Sequence, residues 1–124
     1  MKLVSGVDLI EINRLREAIA NHGERFLNRV FTARELDENI RKPESLAGRF
    51  AAKEAVAKAF GSGIGDVSWK EIEILRAESG QPLLVLHGAA DGKARALKIV
   101  NWSVSISHTN EHALAFVVGI SNEA

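Results

Sequence analysis

The hydrophobic positions change period several times along the chain. Leu3 to Ile10 reads as a first strand whose apolar content is Val4, Val7, Leu9 and Ile10. From Glu11 to Ala20 the spacing turns helical through Ile12, Leu15 and Ile19, and Asn21-His22-Gly23 stops it. Thr32-Ala33-Arg34-Glu35 has the form of a capping box and predicts a short helix. Pro43 then opens the longest predicted helix, Glu44 to Phe60, with Gly61 just past its end. Its apolar stripe is Leu46, Phe50, Ala57 and Phe60. Gly61-Ser62-Gly63-Ile64-Gly65 cannot remain helical. Glu71-Ile72-Glu73-Ile74 alternates like a half-buried strand, Ser79-Gly80-Gln81-Pro82 reads as a turn, and Leu83 to Leu86 returns. Gly88 to Lys98 predicts a helix. Trp102, Val104 and Ile106 alternate with Ser103, Ser105 and Ser107, His108 to Glu111 is turn-like, and Ala113 to Val118 is a last strand. One early strand, a helical middle and two hairpins separated by a helix make an α+β domain with a mostly antiparallel sheet.

The 124 residues fit a single domain, residues 1–124, with a small core. An active-site cleft would compete with that core for residues, which makes a subunit interface a natural place for one. The 16 basic and 16 acidic residues cancel, so there is no global field for nucleic acid or anionic lipid. There is no cysteine, which excludes disulfides, thiolate catalysis and cysteine-based metal sites. The first residues are too short and too charged for a signal peptide, and no apolar run is long enough to span a bilayer, so a soluble cytoplasmic protein is expected. Locally the charge is uneven. Arg14, Arg16, Arg25, Arg29 and Arg34 face only Glu17 and Glu24, a basic stretch that suits an acidic protein or phosphates, or is simply a solvated helix face.

Four segments carry candidate chemistry. Asp8 is a lone carboxylate in an apolar strand, costly to bury unless paired or bound to metal, and otherwise a solvated strand end. Glu54 and Lys58 share a helical face, with the small residues Ala47 and Ala51 leaving room beside them; the bland alternative is a surface ion pair. The glycine loop after Phe60 offers backbone N–H groups to a phosphate. It follows its helix and so meets the negative end of the dipole, which rules out a P-loop and leaves a plain helix cap as the other reading. His108 ends a strand; His108 and His112 flank a turn, which argues against a helical metal pair.

Together these segments resemble the holo-acyl-carrier-protein synthase family, the short-chain 4'-phosphopantetheinyl transferases. Gly6-Val7-Asp8-Leu9 is similar to the opening motif, and Phe31-Thr32-Ala33-Arg34-Glu35 to the F-T-x-x-E element. Leu46 to Ala55 with Lys58-Ala59-Phe60-Gly61 is similar to the central signature, and Ser103 to His108 to the late S-x-S-H element. The resemblance implies an α+β homotrimer with sites between subunits. It implies transfer of 4'-phosphopantetheine from coenzyme A to a serine of apo-acyl carrier protein in fatty acid synthesis, releasing adenosine 3',5'-bisphosphate. Asp8 and Glu54 resemble ligands of Mg²⁺, and Lys58 resembles the lysine that stabilises the transferring phosphate. Glu54 and a water on the metal are both candidates for the base. Arg49, Lys58, Gly61, Ser62, Pro82 and His108 resemble the groups that hold coenzyme A. Ser79 and Gln81 depart from the Asn-Gly-Lys-Pro turn of many relatives, which removes an amide and a positive charge. Arg14 resembles a contact to the acidic carrier protein, with Arg25, Phe26 and Arg29 in the same region. A polyketide or peptide carrier as acceptor, a non-catalytic nucleotide-binding module and a metal-dependent phosphohydrolase are the competing readings.

Overall fold

A computed structural model describes residues 1–122. β1 (Leu3–Glu11) turns Gly6 and Asp8 inward, and leaves Leu3, Ser5, Val7 and Leu9 exposed on the other face. Four helices follow: α1 (Ile12–His22), α2 (Glu24–Val30), α3 (Ala33–Glu38) and α4 (Pro43–Ala59). A 3-10 turn at Trp69–Glu71 leads into β2 (Ile72–Arg76) and β3 (Pro82–Leu86). α5 (Gly88–Ala96), β4 (Ile99–His108) and β5 (His112–Ser121) complete the described chain. All strand pairs are antiparallel, but they form two sheets, β1-β5-β4 and β2-β3.

The capping box at Thr32 is present, with Thr32 and Glu35 each accepting from the other's backbone N–H. α2 is absent from the sequence-based expectation. Gly23, at φ 54°, separates it from α1, and Leu27 and Val30 fix its buried side over a single short turn of pattern. α5 ends at Ala96, earlier than Lys98, where a left-handed φ of 60° breaks the helix.

The largest departure concerns α4. A one-sided apolar stripe is expected; instead Leu46, Ala47, Ala51, Ala52, Ala55, Val56 and Ala57 are buried around most of the helix. The physical reason is its alanines. Short side chains let α4 run between two cores, one shared with the sheets and α5, the other with α1, α2 and α3. The approach is close enough to require glycine at two points. A Cβ on Gly6 would lie 1.9 Å from the Ala55 carbonyl oxygen, and one on Gly48 would lie 2.6 Å from Ile106.

Lys53 lies on the buried side of α4 and is fully inaccessible, as is Glu35. Lys53 Nζ pairs with Glu35 Oε1 at 2.8 Å and donates to the carbonyls of Trp69 and Ile72 at 2.9 and 2.6 Å. The other Glu35 oxygen accepts from the Ile74 N–H at 2.8 Å. One buried charge pair therefore ties α3, α4 and β2 together, with its hydrogen-bonding capacity satisfied.

Candidate active site

Because β1 crosses α4 at the Gly6–Ala55 contact, Asp8 is delivered beside Glu54 and Lys58. Lys58 Nζ donates to Asp8 Oδ1 at 2.8 Å and to the Val7 carbonyl at 3.1 Å. Lys58 thus pairs with Asp8, fifty residues away, rather than with Glu54 on its own helix face. This bond is the main cause of the rise in the Lys58 pKa above its ordinary value. Asp8 Oδ2 is buried and accepts no hydrogen bond. Glu54 is half-buried; burial first, then the negative charge of Asp8, push its carboxyl up to about 7, against the lowering effect of Lys58. Asp8 and Glu54 line one cleft of about 460 Å³, with Arg14, Phe26, Phe50 and His112.

The residues expected to hold coenzyme A fall into two groups. Arg49, Pro82 and His108 line a second cleft of about 250 Å³. Arg76 lines it too, a residue that sequence reasoning missed because nothing in a strand-end arginine announces a ligand. Arg49 is 8% exposed, and its Nε has no hydrogen-bond partner. Burial, then the charge of Arg76, lower its pKa. Two guanidinium groups and an imidazole line this small cleft together with the Glu44 carboxylate, and the guanidiniums are donors suited to a phosphate. Pro82 opens β3 rather than lying in a turn. Gly61 and Ser62 lie elsewhere, beyond the carboxyl end of α4. From Arg49 to that end the helix rises about 15 Å. Gly61 has φ 87°, and the Gly63 N–H closes back onto the Ala57 carbonyl, so the loop does cap the helix. His108 and His112 line different clefts and form no metal pair.

On the helical side, Arg14, Arg25 and Arg29 are exposed on α1 and α2, and among the described residues none forms an ion pair. Arg16 is bound to Glu44 and so does not belong to this free basic face. Phe26 packs edge-on to Phe31 and against Phe50, half core and half cleft wall.

Among the described residues no group of three or more His, Asp or Glu side chains gathers as a metal cluster. Asp8 and Glu54 are a pair only. The undonated Asp8 oxygen beside a Glu54 carboxyl held near neutrality is nevertheless a donor set that suits a hard divalent cation completed by phosphate oxygens and water. No helix among the described residues is long and apolar enough to cross a membrane.

The chain is similar to known proteins over nearly all its length. It is 50% identical to the holo-[acyl-carrier-protein] synthase of Herpetosiphon aurantiacus, across 95% of this chain and 98% of that one. Its structure superposes on the Helicobacter pylori holo-[acyl-carrier-protein] synthase in complex with coenzyme A with a TM-score of 0.86 at 33% identity, covering 94% and 99% of the two chains. The Bacillus anthracis synthase in complex with CoA (3',5'-ADP) gives 0.78 at 34% identity, covering 96% of each. The family model for the 4'-phosphopantetheinyl transferase superfamily matches residues 5–117, and the chain belongs to that family.

Proposed function

We infer that this chain is a holo-[acyl-carrier-protein] synthase. It transfers 4'-phosphopantetheine from coenzyme A to a serine hydroxyl of apo-acyl carrier protein, in the cytoplasm, for fatty acid synthesis. The serine oxygen forms a bond to the pantetheine-side phosphorus, the bridging P–O bond breaks, and adenosine 3',5'-bisphosphate leaves with the bridging oxygen. The hydroxyl proton passes to a base, either Glu54 or a water. The observation that carries this reading is the trio of Asp8, Glu54 and Lys58 in a chain that belongs to this family.

Asp8 and Glu54 would hold a divalent cation, Mg²⁺ in this reading. When bound, it withdraws charge from the phosphate oxygens as negative charge develops. Lys58 is fixed by Asp8 and the Val7 carbonyl while its side chain stays 53% exposed, so it can reach a phosphate without leaving its anchor. Arg14 lines the same cleft as the carboxylates, and Arg25 and Arg29 extend the positive face across α2. An acidic carrier protein docking there brings its serine toward Asp8 and Glu54, with charge speeding the encounter and fixing its orientation.

The two groups of coenzyme A residues lie apart, one at the Arg49–His108 cleft and the other around the carboxyl end of α4, which favours a site completed by a second subunit. The outer face of the β1-β5-β4 sheet supports this. Val7 and Phe116 are paired across the strands, as are Leu9 and Leu114. All four are exposed, between 41% and 62%. An apolar face of this kind needs a partner. In the assembled protein, a homotrimer, the Arg49–His108 cleft of one subunit takes the nucleotide end of coenzyme A, while Asp8, Glu54, Lys58 and Ser62 of its neighbour take the pyrophosphate.

The deciding experiment is mass spectrometry of apo-acyl carrier protein incubated with this protein, coenzyme A and Mg²⁺. The expected result is a gain of one phosphopantetheine, absent with Asp8→Ala and after chelation. No gain with several folded carriers would overturn the assignment. Sedimentation analysis tests the assembly, and a fully active monomer would sink that part.

A further inference from the structure

The glycine loop after α4 has a neighbour that nothing above explains. Lys93 of α5 donates to Ser62 Oγ at 2.7 Å and also pairs with Asp66 Oδ2 at 3.2 Å. A lysine ammonium only donates, so this bond occupies an acceptor site of the Ser62 hydroxyl. The hydroxyl hydrogen then has to point elsewhere. Among the described residues it has no protein acceptor, and the Ser62 backbone N–H donates to no backbone group. The N–H groups of Gly61 and Gly63, by contrast, are turned back onto the Lys58 and Ala57 carbonyls. Ser62 thus presents two unspent donors at one exposed point, immediately beyond the end of α4 that carries Lys58 and Glu54.

The electrostatics of that point call for a cation. A helix carboxyl end is negative and repels phosphate. Lys58, held by Asp8 and the Val7 carbonyl, makes no hydrogen bond to Ser62. Lys93 is the other ammonium bonded at the loop, and a hydroxyl that accepts from a charged donor is itself a stronger donor.

We propose that Lys93 is a positioning residue for coenzyme A: by donating to Ser62 Oγ it directs the Ser62 hydroxyl hydrogen outward, as a donor to a phosphate oxygen. The proposal rests on the reading above in which Ser62 contacts coenzyme A. Asp66 pairs with the Lys93 ammonium and makes no hydrogen bond to Ser62.

The test is calorimetric binding of coenzyme A to Lys93→Met, Ser62→Ala, the double variant and Asp66→Asn, with melting temperatures as the check on folding. Each of the first two is expected to weaken binding about tenfold, the size of one charge-assisted hydrogen bond. The double variant should lose no more than the worse single. Asp66→Asn should stay within about twofold of wild type, and Lys93→Arg should recover part of the loss. In turnover assays the change should appear in KM for coenzyme A, with kcat little altered. An unaltered Ser62→Ala would overturn the reading that Ser62 binds coenzyme A. A weakened Ser62→Ala beside an unaltered Lys93→Met would overturn the role of Lys93 alone. A hundredfold loss in the double variant would show that Lys93 acts independently of Ser62, and a loss in Asp66→Asn equal to that in Lys93→Met would show a mere tether of the loop.

Discussion

One oxygen of Asp8 accepts a 2.8 Å hydrogen bond from Lys58, while the other is buried and accepts none. A buried carboxylate oxygen without a donor is costly unless a cation or a proton reaches it. Replacing Lys58 therefore acts on two things, the phosphate and the carboxylate it steadies. Lys58→Met should lower kcat by about a hundredfold or more, the usual cost of an electrostatic donor. The Asp8 carboxylate, only 10% exposed, loses its cation in this variant, so the melting temperature should fall as well.

Glu54 sets a pH dependence. In the metal-free protein its carboxyl stands at about 7, against an ordinary 4.5. The native state then binds a proton that the unfolded state releases, so stability falls as pH rises from about 4.5 to about 7 and levels off beyond. Glu54→Gln should remove this slope in chelator-treated protein. Mg²⁺ competes with the same proton, so the rise in melting temperature on adding it should be larger at pH 8 than at pH 6. An equal rise at both would remove Glu54 from the metal site.

Gly6 keeps the site assembled. A methyl group there would lie 1.9 Å from the Ala55 carbonyl oxygen and 3.1 Å from the Ala59 nitrogen, both backbone atoms at α4. Gly6→Ala should cost about 1–3 kcal/mol or more in denaturant unfolding, as overpacking does. Whatever variant folds should lose transfer activity, since β1 can relieve the clash only by carrying Asp8 away from Glu54 and Lys58. Full activity in a folded Gly6→Ala protein would contradict this.

Lys53 and Glu35 form a pair that neither side can lose alone. Lys53→Met leaves a buried carboxylate without its cation and should destabilise by about 3–5 kcal/mol. Glu35→Ala removes in addition the bonds to the Thr32 and Ile74 N–H groups, and should be at least as damaging. Chemical denaturation measures both. A loss under about 1 kcal/mol in either would mean that the pair is far better hydrated than its burial indicates.

Arg14 separates the two substrates. Arg14→Glu should weaken carrier-protein binding about tenfold or more at low salt, with the gap closing as ionic strength rises, while coenzyme A affinity holds. Equal losses for both ligands would remove the arginine from the carrier-binding face.

Strand and helix periods, the capping box at Thr32, Pro43 and the glycines around α4 are local properties, and the sequence by itself determined them: β1, α4 and both hairpins form where these signals put them, and α5 starts there but ends early. Asp8, Glu54, Lys58, Arg49 and His108 stand out in the sequence through their resemblance to the family's motifs, and the fold brings the first three of them together. Short α2 was not, because Leu27 and Val30 supply too little periodicity to rise above the charge around them. Only the tertiary structure decided which charges meet. Lys58 turns to Asp8 rather than Glu54, Arg16 is taken by Glu44, Arg76 joins Arg49, and Lys93 reaches Ser62. Pairing of this kind depends on the angle at which β1 crosses α4 and on the alanines that let α4 run between two cores. The one-dimensional pattern carries residue type and period, but it does not carry the distance between segments fifty residues apart.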